Sequence, residues 1–222
     1  MTTLFASPGG AGDERSRERE AMVATQILAR GIRDERTLAA LRKVRRHLFV
    51  PAALAARAYD DHPLPIGHGQ TISQPYVVAF MTEALGLRGG EKVLEVGTGC
   101  GYQAAVLAEV ASTVFTIEIL APLADEAAER LRRLGHANVR VRAGDGALGW
   151  PEEAPFDAIV VTAAAPRVPE PLRAQLRDGG RLILPLGDEA QELVLVTRHA
   201  GRFEERRVLP VRFVPMTGKV RE

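Results

Sequence analysis

Three glycines at alternating positions, Gly97, Gly99 and Gly101, are the first residues whose spacing suggests chemistry. They follow the apolar run Lys92–Val96 and precede a helical pattern, which places them in a tight turn between a strand and a helix. Without a Cβ atom, glycine lets the backbone turn sharply and approach a ligand closely. The pattern alone is weak evidence, because any sharp strand-to-helix turn can use glycine.

Two acidic residues strengthen this interpretation. Glu118 ends the next predicted strand, where a carboxylate can accept hydrogen bonds from ribose hydroxyls. Asp145 follows the third strand between Gly144 and Gly146, where it can accept a bond from an adenine amine. Open α/β sheets bind ligands at the carboxyl ends of their strands, so the three loops predict one nucleoside site. In the alternative, Glu118 is a solvated strand-end residue and Asp145 a turn former.

The elements that would position these residues alternate between strand and helix from Lys92 onward. Continuous Val/Ile/Leu strands between helices predict an α/β fold with a doubly wound, mostly parallel sheet. The predicted strands are KVLEV, TVFTIEI, NVRVRAG, FDAIVVTAA, RLILPLG, ELVLVTRHA and a last extended segment, RRVLPVRFVPM. The predicted helices between them are YQAAVLAEV, PLADEAAERLRRLG and PEPLRAQL, the last ending at Asp178-Gly179-Gly180.

The N-terminal part is predicted to be helical. One helix spans residues 15–30, a second follows an N-cap at Thr37, and a third begins at Pro75. Residues 49–74 are predicted to be irregular apart from a short helical piece at 51–58, and such long loops tend to be functional. We therefore expect a flexible tail over 1–14 and one domain over 15–222, with residues 15–90 forming helices and a substrate loop and residues 91–222 the α/β core.

The composition limits the function further. The formal net charge is +1, from 29 basic and 28 acidic side chains, so no strong field is present to hold nucleic acid. The basic run at residues 42–46 suits the C-terminal end of a helix better than a nucleic-acid patch. A single cysteine excludes an internal disulfide, and the histidines lack metal-ligand spacing. No apolar run is long enough for a transmembrane helix, so we expect a soluble, cytoplasmic monomer without metal or membrane partner.

The pattern LEVGTGCGY resembles the first motif of class I methyltransferases that use S-adenosyl-L-methionine. The segment PIGHGQTISQP, residues 65–75, is similar to a narrower signature, that of the protein-L-isoaspartate O-methyltransferases. Further similar stretches are AGDGALGW, PFDAIVVTAAAPRVPEPLRAQLRDGGRLILPLG and VRFVPMTG, so the likeness covers about residues 40–220.

This resemblance implies methyl transfer from S-adenosyl-L-methionine to the α-carboxylate of L-isoaspartyl residues in damaged proteins and peptides, and leaves open whether D-aspartyl residues are also accepted. It makes Ser73 the active-site residue. The implied cofactor residues are Gly97, Thr98, Gly99, Gly101, Glu118, Gly144, Asp145 and Gly146. The implied substrate residues are Thr71, Ile72, Val214 and Thr217.

The chemistry fits so sparse a site. A carboxylate nucleophile is already ionised at neutral pH, so no general base is required, and the enzyme mainly positions two reactants. Ser73 could donate to one carboxylate oxygen; alternatively its hydroxyl serves a local backbone bond beside the helix that begins at Pro75. His62 and His68 have no partner at fixed spacing, and Cys100 and Trp150 are predicted to be packing residues.

Two other functions stay open on the sequence. The first is a class I methyltransferase acting on a small molecule, an RNA or a ribosomally made peptide. The second is a non-catalytic binding module, against which the intact Gly97, Gly99, Gly101, Glu118 and Asp145 argue.

Overall fold

The computed structural model describes residues 15–221, and the tail predicted at 1–14 lies outside them. The strands in this range are β1 (Leu64–Gly67), β2 (Gln70–Ile72), β3 (Lys92–Val96), β4 (Thr113–Glu118), β5 (Val139–Ala143), β6 (Phe156–Val161), β7 (Leu176–Leu186), β8 (Gln191–His199) and β9 (Arg202–Val211). The α-helices are α1 (Ser16–Met22), α2 (Glu35–Lys43), α3 (Pro75–Leu85), α4 (Tyr102–Ala108), α5 (Ala121–Arg133) and α6 (Glu170–Gln175).

The predicted sheet is confirmed. Seven strands lie in the order β5-β4-β3-β6-β7-β8-β9, and the pairs from β5 to β7 are parallel. Strands β8 and β9 pair antiparallel at one edge. The central strands β3, β4 and β6 are buried over nearly their whole length, which explains their continuous apolar sequences.

Helices cover both faces of the sheet and separate the core into two apolar clusters. The larger cluster joins α2, α3 and α4 to one face through residues such as Leu38, Val78 and Val106. The smaller one packs Leu172 of α6 and Trp150 against the other face. Apolar residues of the N-terminal helices therefore belong to the larger of the two core clusters.

The N-terminal helices differ from the prediction in two details. The helix expected over 15–30 is α-helical only to Met22 and continues as a π-helical and a 3₁₀ segment to Arg30. The N-cap of α2 is Asp34, not Thr37: its carboxylate accepts from the Thr37 amide at 2.8 Å and from the Thr37 hydroxyl at 2.6 Å. An aspartate three residues upstream competes well for the free amides of the first turn.

The segment predicted to be irregular contains a short β-hairpin. Strands β1 and β2 pair antiparallel, and the turn between them places Gly67, His68 and Gly69 in the left-handed region with φ of 93°, 52° and 70°. A 3₁₀ helix over Ala52–Arg57 matches the predicted helical piece. The hairpin directly precedes Ser73 and α3, so it fixes the direction in which the chain enters the site.

The C-terminal strands are displaced from their predicted bounds. Strand β7 begins at Leu176, because Asp178-Gly179-Gly180 bulges within the strand and does not stop a helix. The last strand covers Arg202–Val211 and ends before the predicted extended segment does. Residues after β9 then cross the carboxyl ends of the sheet, where Ala164 pairs with Pro215.

The basic run at the end of α2 is engaged in the fold. Arg42 and Lys43 form ion pairs with Glu20 and Glu109. Arg46 is fully buried, with its guanidinium 4.9 Å from the centre of the Tyr102 ring. None of the helices over residues 15–221 is both long and apolar enough to cross a membrane.

Candidate functional site

Two cavities and a slot between them open at the carboxyl ends of the parallel strands. The inner cavity, of about 200 Å³, is lined by residues that include Gly97, Gly99, Glu118, Gly146 and Met216. The outer groove, of about 570 Å³, is lined by residues that include Ser73, Tyr76, Leu209, Phe213 and Val214. The slot is lined by Thr71–Ser73, Gly97–Gly99 and Thr162, among others. Only Thr71 and Thr162 line all three spaces among the described residues.

The glycine turn forms one wall of the inner cavity, as the sequence predicts. The Gly97 and Thr98 amides donate to the Ile117 carbonyl at 2.8 and 3.2 Å, which ties the turn to the end of β4. Gly97 has a φ of 97°, and a Cβ there would lie 2.4 Å from the Thr162 hydroxyl oxygen. Only glycine therefore fits at position 97.

Glu118 places a carboxyl group in the wall of the inner cavity. Its side chain is almost fully buried, and its two oxygens accept from the Gly99 amide at 2.9 Å and the Leu120 amide at 3.1 Å. A carboxylate has about four acceptor positions, so it can accept further bonds from two vicinal hydroxyls. This arrangement fits the ribose of a nucleoside, which is the group that the sequence assigns to Glu118.

A second buried carboxyl lies behind the glycine turn. Glu95 is fully buried, and its Oε2 accepts from the Thr116 hydroxyl at 2.6 Å, while Oε1 has no partner. Burial raises the pKa of Glu95 to about 8. The Thr116 oxygen is also 2.6 Å from that of Thr98. The Thr116 hydroxyl thus links the Glu95 carboxyl to the Thr98 hydroxyl, and this link holds the Thr98 side chain within the turn.

Two predicted substrate residues, Thr71 and Ile72, and the predicted active-site residue Ser73 come together at the slot. The hairpin delivers Thr71 and Ile72 to its wall beside Ser73. The Ser73 hydroxyl has no hydrogen-bond partner among residues 15–221, and α3 has no side-chain cap. The local role that the sequence left open for Ser73 is thus not observed, and its hydroxyl is available to a ligand.

The segment after β9 brings Val214 and Thr217 over the same region. It is held by two backbone bonds, from Ala164 N to Val214 O at 2.8 Å and from Met216 N to Ala164 O at 2.7 Å. Val214 lines both the inner cavity and the outer groove. Thr217, assigned to the substrate by resemblance, lines the inner cavity and not the groove.

Four predicted cofactor residues do not line the inner cavity: Thr98, which lines the slot, and Gly101, Gly144 and Asp145. The Asp145 carboxylate accepts from the amides of Ala147 and Lys219, at 2.9 and 2.8 Å. It thereby caps a 3₁₀ turn and ties down the C-terminal segment. A Cβ at Gly101 would lie 3.1 Å from Leu131, so this glycine serves helix packing.

Three residues that were predicted to have no catalytic role, His68, Cys100 and Trp150, lie in different surroundings. His68 lines the inner cavity from the hairpin turn, with its Nε2 3.9 Å from Glu126. Cys100 is buried, and burial raises the pKa of its thiol, as befits a packing residue. Trp150 packs edge-on against Phe115, which agrees with its predicted place in the core.

Sequence reasoning missed Thr162 and the apolar lining. Thr162 directly follows β6, a position that carried a usable signal because ligands bind at strand ends. Ile119 and Leu120 follow Glu118 at the cavity, and Ile119 remains 42% exposed, so its side chain is open to a ligand there.

Comparisons with known proteins agree with this geometry. A family model described as protein-L-isoaspartate(D-aspartate) O-methyltransferase matches residues 17–221. Protein-L-isoaspartate O-methyltransferase 2 of Shewanella sediminis is 56% identical over 218 residues, which are 97% of this chain and 89% of the relative. The Anaeromyxobacter dehalogenans enzyme is 62% identical over 191 residues, which are 84% and 91% of the two chains.

Solved structures show the same likeness. A protein-L-isoaspartate O-methyltransferase superposes with a TM-score of 0.83 at 31% identity, over 91% of this chain and 67% of its own. A Plasmodium falciparum protein of the same description, solved with S-adenosyl-L-homocysteine, gives a TM-score of 0.75 at 26% identity, over 91% and 98%. The resemblance stated from the sequence motifs is confirmed, and the chain belongs to the protein-L-isoaspartate(D-aspartate) O-methyltransferase family.

Proposed function

We propose that this protein transfers a methyl group from S-adenosyl-L-methionine to the α-carboxylate of L-isoaspartyl residues, with Ser73 as the catalytic residue. Family membership supports the reaction. The observation that carries the site assignment is the unpartnered Ser73 hydroxyl, which borders both the outer groove and the slot beside the glycine turn. A peptide in the groove can thus present a carboxylate to a methyl donor in the inner cavity.

The inner cavity suits the nucleoside part of the cofactor. Glu118 offers acceptors for the ribose hydroxyls, while Ile117, Ile119 and Leu120 offer apolar contact for a flat base. When bound, S-adenosyl-L-methionine supplies a methyl group on a positively charged sulfur, which leaves as a neutral thioether after attack by a carboxylate oxygen. The products are a methyl ester and S-adenosyl-L-homocysteine, so no proton changes place.

Ser73 has a positioning task in this reaction. Its hydroxyl donates to one carboxylate oxygen and leaves the other directed toward the methyl group. A neutral donor is suitable, because the carboxylate charge disappears in the transition state and a strong cation would stabilise the ground state more. The methyl ester that forms can close to a succinimide, whose hydrolysis returns part of the damaged residue to aspartate.

We also infer that the protein works as a cytoplasmic monomer on proteins and peptides, without nucleic acid. Support comes from the site itself, since Ser73, Thr162 and Glu118 all belong to one chain. The near-neutral net charge of +1 supports the inference about nucleic acid. Light scattering coupled to size exclusion should give one mass, near the 24.0 kDa of the chain.

The decisive experiment measures methyl transfer from labelled S-adenosyl-L-methionine to a peptide that contains one L-isoaspartyl residue. The matched control is the same peptide with aspartate at that position. We expect the isoaspartyl peptide to react far faster, and the label to be released as methanol on alkaline treatment, as a methyl ester requires. Equal rates for the two peptides, or transfer only to an RNA, would favour a different methyltransferase.

A further inference from the structure

Thr162 occupies the junction of the site. It follows the last residue of β6, it is half-buried, and it borders the inner cavity, the outer groove and the slot. A methyl group that passes from a donor in the inner cavity to a peptide in the groove must pass beside this side chain. We propose that Thr162 is a substrate-binding residue, whose hydroxyl oxygen accepts the backbone N–H of the isoaspartyl residue and thereby distinguishes it from aspartate.

The hydrogen bonds of Thr162 determine which role its hydroxyl can take. The Thr162 oxygen is 2.7 Å from the Gly97 carbonyl oxygen and 3.2 Å from that of Val96, and both carbonyls can only accept. The single hydroxyl proton therefore points to the backbone of the glycine turn. The two lone pairs of the oxygen remain for a donor, and so Thr162 can offer a substrate an acceptor but no proton.

The substrate requires such an acceptor at a particular place. In an L-isoaspartyl residue the free carboxylate is bonded to Cα, which also bears the amide nitrogen, so the N–H lies two bonds from the carboxyl carbon. In an aspartyl residue the free carboxylate is bonded to Cβ, so the N–H lies three bonds away. An acceptor fixed beside the carboxylate can thus take the N–H of one isomer and miss that of the other.

The neighbouring groups support this division of roles. Ser73, with its free hydroxyl, borders the groove and the slot together with Thr162 and can donate to the carboxylate. The Val214 carbonyl, another acceptor in the region, already takes the Ala164 amide at 2.8 Å and keeps one lone pair, whereas both lone pairs of the Thr162 oxygen remain for a donor. Burying an N–H without a hydrogen-bond partner weakens binding. An aspartyl peptide, whose N–H would not reach the Thr162 oxygen, therefore has a desolvation cost in addition to lacking the hydrogen bond.

This inference rests on the proposed isoaspartyl reaction, and its test uses a substrate in which only the N–H is changed. The amide that precedes the isoaspartyl Cα is replaced by an ester, which removes the donor and keeps the free carboxylate. The variant Thr162→Val removes the acceptor at nearly constant shape, and Thr162→Ser restores it. The four combinations of wild type or Thr162→Val with amide or ester peptide form a double-mutant cycle in kcat/KM.

We expect each single change to lower kcat/KM about tenfold, the amount that one hydrogen bond accounts for. The two changes together should cost no more than either alone, and Thr162→Ser should recover most of the lost rate on the amide peptide. Thr162→Val should also narrow the preference for isoaspartyl over aspartyl peptide. The affinity for S-adenosyl-L-homocysteine, measured by calorimetry, serves as the check that the glycine turn is intact.

Independent losses that multiply to about a hundredfold would overturn the proposal, because the N–H would then have another acceptor. A variant with weakened S-adenosyl-L-homocysteine binding and equal losses on both peptides would make Thr162 a support of the glycine turn only. Failure of the proposed function is distinguishable from both, since wild-type protein would then leave the isoaspartyl amide peptide unmethylated.

Discussion

At the scale of single residues, the site contains two buried carboxyls with opposite surroundings. Glu118 accepts two backbone amides, whereas Glu95 accepts one hydroxyl and leaves its other oxygen without a partner. Desolvation penalises a charge that is not compensated, and so the pKa of Glu95 rises to about 8. At neutral pH we expect Glu95 to hold its proton beneath the glycine turn.

Glu95 should therefore make the stability of the protein depend on pH. The carboxyl ionises near 4.5 in the unfolded chain and near 8 in the fold, so between these values the folded state holds the extra proton. The contribution of Glu95 to the free energy of unfolding is fully present below pH 4.5. It falls by up to about 1.4 kcal/mol per pH unit as the pH rises toward 8. Glu95→Gln, which keeps an acceptor for Thr116, should remove this slope.

Denaturant unfolding of wild type and Glu95→Gln at pH 5, 6, 7 and 8 provides the measurement. The free energy of unfolding of Glu95→Gln should rise relative to that of the wild type as the pH rises. A constant difference between the two proteins across this range would show that Glu95 is ionised in the fold.

Ser73 gives a prediction about rate. Ser73→Ala should lower kcat/KM ten- to a hundredfold, because one hydrogen bond to a charged group is worth about 1.5–3 kcal/mol. The affinity for S-adenosyl-L-homocysteine should stay nearly unchanged. Ser73→Thr is the matched variant and should keep part of the activity, since it retains the hydroxyl. No general base takes part, so the wild-type rate should vary little between about pH 6 and 8.

A Ser73→Ala variant with the full rate would leave Ser73 without a catalytic role. Loss of cofactor binding in the same variant would instead place this residue in the cofactor site.

At the scale of elements, the β1–β2 hairpin places Thr71 and Ser73 at the slot. The sequence did not predict it, because β1 is a four-residue strand and β2 a three-residue strand, with Pro65 and Gly67 in the first. Such strands carry no alternating pattern long enough to be recognised. The parallel strands β3, β4 and β6 were predicted, because full burial on both faces leaves an uninterrupted apolar run in the sequence.

The hairpin turn can be tested with glycine substitutions. Gly67 has a φ of 93° and nothing within 4 Å of the position that a Cβ would take. Gly67→Ala should cost about 1–2 kcal/mol of stability from backbone conformation alone. It should also lower kcat/KM on the isoaspartyl peptide, because the hairpin carries the residues of the slot. Gly90 has equally open surroundings without a left-handed φ, so Gly90→Ala is the matched control and should cost nothing. Equal effects of the two substitutions on stability would argue against a strained turn.

At the scale of the whole molecule, the site is assembled from segments that are distant in the chain. The glycine turn, the end of β4, Thr162 and the segment at 214–217 meet only because parallel strands place their carboxyl ends at one edge. Motifs could predict Glu118 and Ser73 because each stands in a recognisable pattern. Thr162 has no motif of its own, and the backbone partners of Asp145 include Lys219, which only the folded C-terminal segment brings near.

Because so many segments form the inner cavity, a ligand bound there should stabilise the whole fold. S-adenosyl-L-homocysteine at a hundred times its Kd should add about 2.7 kcal/mol, which for a domain of this size raises Tm by roughly 5–10 °C. Glu118→Ala should weaken binding by about 1–3 kcal/mol and lose between about a third and about nine-tenths of that shift at the same ligand concentration. Gly99→Val should lose all of it, because φ at Gly99 is 53° and a branched side chain would enter the cavity wall next to Ile66.

Glu204→Ala removes an exposed acid from β9, far from the inner cavity, and should keep the full shift. Thermal scans of the four proteins with and without ligand give the comparison, with calorimetric titration supplying each Kd. An unchanged shift in both Glu118→Ala and Gly99→Val would place the ligand outside the inner cavity, because neither a lost carboxylate nor an added side chain could then reach it.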